Sequence, residues 1–275
     1  MKLLLIPSRL AEVIKLELKS LVTPKCGILY ALRKWKALFF NQREIQFLGK
    51  NISYEDRLQP FTMFEYVNEV SYIKKIFGFS GGRVLDIGAN IGIFGAVIRQ
   101  CFPASEVYSF EPNSLPFFHL KRNSLTFSNW HIFNFGVSSS FGEVDFYYVR
   151  DKTGQGSIYR ENASLNLLYE GETVLTKVTL KPLDEEFLTK SCGGDYFDFV
   201  KIDVEGAERF VIMGLGNIKF KYMYVELSSG REGSSSVEEF LELLRKVWPL
   251  AQITIIKVLN GPITTDIYIK NECNI

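Results

Sequence analysis

The chain has 275 residues, 47% of them hydrophobic and 23% charged, and a formal net charge of +1. That balance supplies core material for one α/β domain with an extension, or for two small domains, in a soluble globular protein. Cys26, Cys101, Cys192 and Cys273 lie far apart without a Cys-x-x-Cys spacing, and His119 and His131 are the only histidines, which excludes a zinc or disulfide framework and fits a reducing, cytoplasmic setting.

At the N-terminus the apolar run Leu3-Leu4-Leu5-Ile6 is stopped by Pro7-Ser8-Arg9. It falls short of the roughly 7–15 apolar residues of a secretion signal and the roughly 20 of a spanning helix, so neither is expected. Residues 1–50 carry ten Lys/Arg against three Asp/Glu, which sets this arm apart electrostatically from the acidic remainder. Helical periodicity predicts amphipathic helices over 8–22 (Leu10, Val13, Ile14, Leu18, Leu21) and 28–40 (Ile28, Leu32, Trp35, Phe39). The expected organisation is a basic helical extension over 1–60 ahead of a domain over 61–275. The arm either packs on the domain with its charges in water or rests on an anionic membrane or a partner protein.

A helix is predicted over 61–77, ending at Gly78. Gly78-Phe79-Ser80-Gly81-Gly82 matches a hydrolase Gly-x-Ser-x-Gly, but it precedes a strand where a nucleophile elbow follows one, so it reads as a helix stop and loop. From Val84 onward strands and helices alternate, the pattern of a doubly wound, mostly parallel sheet. Strands are expected at 84–87, 106–110, 131–136, 144–148, 177–181, 197–203, 222–227, 252–258 and 265–270, with helices at 91–101, 114–126, 184–190, 205–213 and 237–247. Ser236 and Glu239 form a capping-box pattern for the last helix, and Asn260-Gly261 favours a tight turn joining the last two strands as an antiparallel hairpin. The poorly periodic stretch 150–176 is expected to loop over an acceptor site, and within it Asn162-Ala163-Ser164 fits a glycosylation pattern.

The chemistry concentrates at predicted strand ends. Val84–Ile87 suits a strand buried on both faces, and Gly88 and Gly92 bracket a turn in which the backbone can approach a ligand. A dinucleotide fingerprint needs a second glycine where Asn90 stands, which weakens a nicotinamide-dependent reductase. Glu111 ends the next strand, 25 residues beyond Asp86, where an acid accepts hydrogen bonds from ribose hydroxyls. Asp203 and Glu226 end two later strands; if these are neighbours, the two acids sit side by side, able to share a divalent cation or a substrate hydroxyl. Lys201 points the same way as Asp203 by strand alternation and balances the charge. Glu205 and Glu208 suit the N-terminus of the following helix.

Asp86-Ile87-Gly88-Ala89-Asn90-Ile91-Gly92, Glu111-Pro112 with Asn123 downstream, Leu183-Asp184, Lys201-Ile202-Asp203-Val204-Glu205-Gly206-Ala207-Glu208 and Val225-Glu226-Leu227 together resemble the FkbM family of S-adenosylmethionine-dependent methyltransferases. The likeness spans about residues 80–230. It implies a Rossmann-like class I methyltransferase sheet with an added antiparallel strand, and methylation of hydroxyl oxygens, often of glycan sugars or natural products. On this resemblance Asp86, Gly88, Asn90 and Gly92 hold the methionine end of S-adenosylmethionine and Glu111 its ribose. Where the family has an alanine after its third strand this chain has Gly136, leaving Val137 and Ser138 as the expected adenine neighbours. Asp203 is the candidate base, with Glu226 and Lys201 beside it, and Mg²⁺ bridging Asp203 and Glu226 would lower the hydroxyl pKa. The expected acceptor is a glycan or small molecule; no nucleic-acid partner is expected. The rival from another class is a non-catalytic glycan- or partner-binding module that keeps the cofactor fold.

Overall fold

The computed structural model describes residues 32–36, 42–56, 59–149, 152–164, 172–216, 218–256 and 264–271. Most of the two predicted N-terminal helices and the Asn260-Gly261 turn lie outside the described residues; within the second helix, residues 32–36 are helical. Among the described residues no helix is long and apolar enough to cross a membrane.

In chain order the elements are β1 (Glu44–Phe47), β2 (Lys50–Ser53), α1 (Gln59–Phe77), β3 (Arg83–Ile87), α2 (Ile93–Cys101), β4 (Glu106–Phe110), α3 (Ser114–Ser124), β5 (Trp130–Phe133), β6 (Gly136–Val137), β7 (Gly142–Val149), β8 (Lys152–Ser157), α4 (Arg160–Ser164), β9 (Thr173–Lys181), α5 (Glu185–Cys192), β10 (Tyr196–Asp203), α6 (Glu208–Gly214), β11 (Lys219–Leu227), α7 (Val237–Val247), β12 (Gln252–Ile256) and β13 (Thr265–Lys270). Seven strands form the central sheet in the order β12-β13-β11-β10-β3-β4-β5. β11, β10, β3, β4 and β5 are parallel, and β13 runs antiparallel between β11 and β12. The expected closing hairpin is present, with its second strand inserted inside the first.

Strand alternation builds two cores from consecutive residues. Val84 and Phe199 pack on one face with α1 and α2, whereas Leu85, Ile87, Val200 and Ile202 pack on the other with α5, α6 and α7. Both faces of β3 and β10 are therefore covered, which is why these strands read as near-continuous apolar runs. α1 buries Met63, Val67, Val70 and Ile73 at helical spacing and stops at Gly78, whose φ is 64°. The capping box of α7 forms as predicted: Glu239 N donates to Ser236 Oγ at 3.2 Å and Ser236 N to Glu239 Oε2 at 2.9 Å. Asp184, part of the family-like Leu-Asp pair, caps α5 by accepting from Phe187 N at 2.8 Å.

Three features were not foreseen. The β1–β2 hairpin inserts Ile45, Phe47 and Ile52 into the core beside α1, so the chain before residue 59 contributes strands to the domain. Asn123 fastens it: Nδ2 donates to the carbonyls of Ser53 and Ile91, and Oδ1 accepts from Ser53 N at 2.7 Å, tying hairpin, glycine turn and α3 together. The predicted strand 131–136 splits, because the chain leaves the central sheet after Phe133 and Gly136–Val137 joins a second, four-stranded sheet ordered β6-β9-β7-β8. Finally, the stretch expected as a loop over 150–176 carries β8 and α4, and β9 begins at Thr173. Its weak periodicity came from a short strand and a one-turn helix whose polar residues pair with other elements. One of these is Asn162, which is 1% exposed, donates to the Glu232 carbonyl and accepts from Glu232 N, and so is not presented as a glycosylation site.

Candidate functional site

A cleft opens at the carboxyl ends of β3, β4 and β10, where ligands of doubly wound sheets gather. The second sheet closes one side of it with Phe146 and Leu180, and α1 closes another with Tyr66. Among the residues predicted from sequence, Gly88, Asn90, Glu111, Val137 and Asp203 line this cleft.

The glycine turn is dictated by crowding. Gly88 has φ +82°, and a Cβ there would sit 1.9 Å from the Asp203 carbonyl oxygen, so only glycine lets the end of β10 close against the turn. Asn90 also takes a left-handed conformation, φ 50°, which asparagine tolerates better than most residues. Its N–H donates to Glu111 Oε2 at 2.9 Å, and Asn113 N donates to Oε1 at 2.9 Å. Glu111 is thus held by two backbone donors at the rim, its carboxyl pushed up to about 7 by burial despite those bonds.

Asp86, Gly92 and Ser138 do not line the cleft. Asp86 is fully buried behind the turn, where Ser109 Oγ donates to Oδ2 at 2.9 Å and Trp130 Nε1 donates to the same hydroxyl oxygen at 3.0 Å. Burial raises its carboxyl to about 6, while the Lys201 ammonium acts against that rise. Gly92, φ +87°, starts α2 and leaves room for Leu120 and the Trp130 ring; a Cβ would come within 2.6 Å of Leu120 Cδ1. Ser138 is pinned by its backbone, donating from N to the Lys181 carbonyl and lying against Gly214 of α6.

The strand-end acids meet as the spacing predicted. β10 and β11 are parallel neighbours, and the register pairs Asp203 with Glu226 and Lys201 with Tyr224. Lys201 Nζ donates to Asp203 Oδ2 at 2.7 Å, its side chain 2% exposed against 24% for Asp203. The neighbouring Asp203 carboxylate, and then burial, raise Glu226 well above the usual carboxylate range. The acids divide: Asp203 takes the ammonium, and the charge beside Glu226 favours its protonated form, the separation of roles expected when like groups share a site.

Sequence reasoning missed the contribution of α1. Tyr66 lies over Lys201, with Nζ 5.6 Å from the ring centroid, and Glu69, one turn away, is raised to about 8 by burial. Asp266 of β13 adds a further acid, accepting from Tyr224 Oη at 3.0 Å. Glu69 sits on the buried stripe of α1, where a lone acid was the only signal; Asp266 ends no parallel strand and its place depends on β13 inserting beside β11. Glu208, expected to stabilise a helix start, is 1% exposed and accepts from Gly206 N and Ser228 N through Oε1, both at 3.1 Å, joining the β10 and β11 ends. The expected Mg²⁺ pair does not fit a divalent ion. Lys201 already occupies Asp203 Oδ2, and among the described residues no three His, Cys, Asp or Glu side chains are placed to hold a metal.

Ser80 lies exposed in the loop entering β3, at the opposite end of the sheet from this cleft, which removes the hydrolase reading.

Comparison with known proteins bears on the same residues. Residues 86–247 match the methyltransferase FkbM domain. The chain is 25% identical over 222 residues to the AMB antimetabolite synthetase AmbE of Pseudomonas aeruginosa, covering 66% of this chain but only 10% of that protein. It is 29% identical over 148 residues to the hexuronic acid methyltransferase AglP of Haloferax volcanii, covering 53% of this chain and 55% of the relative. It is 25% identical over 183 residues to the 2-O-methyltransferase NoeI of Sinorhizobium fredii, covering 62% and 73%. The matched domain begins at the acid of the glycine turn and runs through the strand ends that build the cleft, and it takes in more than half of the chain. The chain belongs to the FkbM family of S-adenosylmethionine-dependent methyltransferases.

Proposed function

We propose that the protein transfers the methyl group of S-adenosylmethionine to a hydroxyl oxygen, that of a sugar in a glycan or glycosylated metabolite. The observation that carries this reading is the Lys201–Asp203 pair at the end of β10, pressed against Gly88 of the cofactor turn. Lys201 engages Oδ2 of Asp203, which leaves Oδ1 for an acceptor.

The cofactor's methionine end would run along the backbone of Gly88 and Asn90, its ribose would meet Glu111, and its adenine would lie beside Val137. Glu111 is preset for this because its two backbone partners fix the carboxylate before any ligand arrives. The bound cofactor supplies an electrophilic methyl on a sulfonium. Asp203 would accept the proton that the acceptor hydroxyl loses as its oxygen gains the methyl group and the sulfonium becomes a neutral thioether. Lys201 fixes the Asp203 carboxylate in position. Names of relatives that include a hexuronic acid methyltransferase and a 2-O-methyltransferase support an oxygen acceptor.

Two measurements test the assignment. Glu111→Ala removes charge-assisted bonds to the ribose, about 1.5–3 kcal/mol, and should weaken S-adenosylmethionine binding by about 10- to 100-fold in calorimetry. Unchanged affinity would place the ribose elsewhere. Dialysis against excess EDTA should leave methyl transfer from labelled cofactor intact, because Lys201 already neutralises Asp203 and no metal-holding cluster stands among the described residues; loss of activity restored by Mg²⁺ would overturn the ion-pair mechanism.

A further inference from the structure

Beyond Asp203 the cleft wall continues into Val204, Glu205 and Ala207, and there a second buried ion pair stands outside the chemistry described so far. Arg231, from the Gly/Ser-rich loop after β11, packs over Gly206 and places Nη2 2.7 Å from Glu205 Oε2. Ser228 Oγ reaches the same oxygen at 3.4 Å, so both contacts fall on Oε2. The side chains are 18% (Glu205) and 10% (Arg231) exposed, and Arg231 Nε and Nη1 are buried without a hydrogen-bond partner among the described residues. Those donors are closed to solvent, so the guanidinium stands behind Glu205 as its support, and Glu205 is the member of the pair that lines the cleft.

The loop is held in place. Asn162 of α4 brackets Glu232 through both its N–H and its carbonyl, and Ser157 Oγ donates to the Glu205 carbonyl at 2.8 Å. Segments more than 60 residues apart therefore converge on this pair, giving it a fixed geometry.

We infer that Glu205, held in place by Arg231, is the acceptor subsite and reads a hydroxyl of an uncharged sugar. The inference rests on the sugar O-methylation reading above. Arg231 and Ser228 both engage Oε2, which leaves Oε1 of Glu205 to accept from a sugar hydroxyl. An anionic sugar is disfavoured because the two cations at this end of the cleft are already committed, Lys201 to Asp203 and Arg231 to Glu205, each at 2.7 Å. The Asp203 carboxylate meets such a sugar with no positive side chain among the described residues lining the cleft, so selection is by an uncompensated charge as well as by hydrogen bonding.

The test uses the full chain saturated with S-adenosylhomocysteine, titrated with methyl glycosides of neutral hexoses and with the corresponding methyl uronosides, followed by saturation-transfer NMR. Neutral glycosides should bind at least tenfold more tightly than uronosides. R231K, which keeps a positive charge near Glu205 but loses the forked donors, and R231A should each weaken the neutral glycosides tenfold or more while S-adenosylhomocysteine affinity stays within twofold, which also reports that the variants fold. Tighter binding of uronosides, or unchanged glycoside binding in both variants, overturns the inference and leaves sugar methylation standing. If no glycoside binds the wild-type complex, the inference also fails, and transfer of label from the cofactor to alcohols that are not sugars separates failure of this subsite from failure of the wider reading.

Discussion

Asp203→Asn lowers kcat by about 10²- to 10⁴-fold, the range for loss of a general base, while S-adenosylmethionine affinity stays within a few-fold. Asn cannot take the proton that leaves the acceptor as the methyl arrives. The substitution also strands Lys201, whose side chain is 2% exposed, without its partner at 2.7 Å. Removing one member of a buried pair costs about 3–5 kcal/mol, so stability must be followed together with activity. Cofactor binding by calorimetry supplies that control: a variant that binds cofactor normally and turns over within tenfold of wild type would remove Asp203 from the chemistry. Lys201→Met should lower kcat too, through the position of the carboxylate, and it belongs to the same test because it leaves Asp203 in place.

The second large effect is expected at Gly88. Gly88→Ala would place a Cβ 1.9 Å from the Asp203 carbonyl oxygen and 3.1 Å from Val204 Cγ1, on a backbone with φ +82°. A rotamer change of Val204 relieves the second contact but not the first, which is with backbone, nor that with the Asp203 carbonyl carbon at 2.9 Å. Either β10 moves away from β3 or the glycine turn changes conformation; both dismantle the junction of cofactor turn and catalytic strand. The expected cost is about 3–5 kcal/mol, in the range reserved for clashes at special backbone positions, with S-adenosylmethionine binding lost. Urea unfolding and calorimetry together measure it. A variant with wild-type stability and affinity would show that the approach of β10 to Gly88 is not required for the site.

Together the two experiments separate functions that meet within a few ångströms. The Gly88 variant tests how closely strand β10 must approach the turn; the Asp203 variant tests what its carboxylate does in the proposed transfer. Glu111 belongs to neither group, since it is oriented by Asn90 and Asn113 independently of β10.

Residue spacing by itself determined the central sheet and the order of its chemistry. Strand ends carrying Glu111, Asp203 and Glu226 are legible because buried parallel strands are apolar on both faces, so an acid at their last position stands out. The Asp203–Glu226 adjacency followed from two consecutive strand patterns and is met by the register of β10 and β11. Alternation likewise placed Lys201 beside Asp203, two residues apart on one strand. The α7 cap was legible for the same local reason, since its whole hydrogen-bond pattern lies within four residues.

Tertiary structure alone decided which members of the glycine motif line the cleft. Asp86 and Gly92 read as cofactor residues, yet Asp86 turns inward to Ser109 and Gly92 makes room for Trp130 and Leu120. Both outcomes depend on packing partners from β4, α3 and β5, remote in the chain. The same limit hid the β1–β2 hairpin, the second sheet and the contribution of α1. A four-residue strand with two buried side chains has too little periodicity to distinguish it from a loop, and its identity is conferred by the surface it covers. Glu205 and Arg231 lie 26 positions apart and share no motif. Only the convergence of two loops, fastened by Asn162, turns them into a pair, because hydrogen-bond geometry between distant segments is a property of the folded chain.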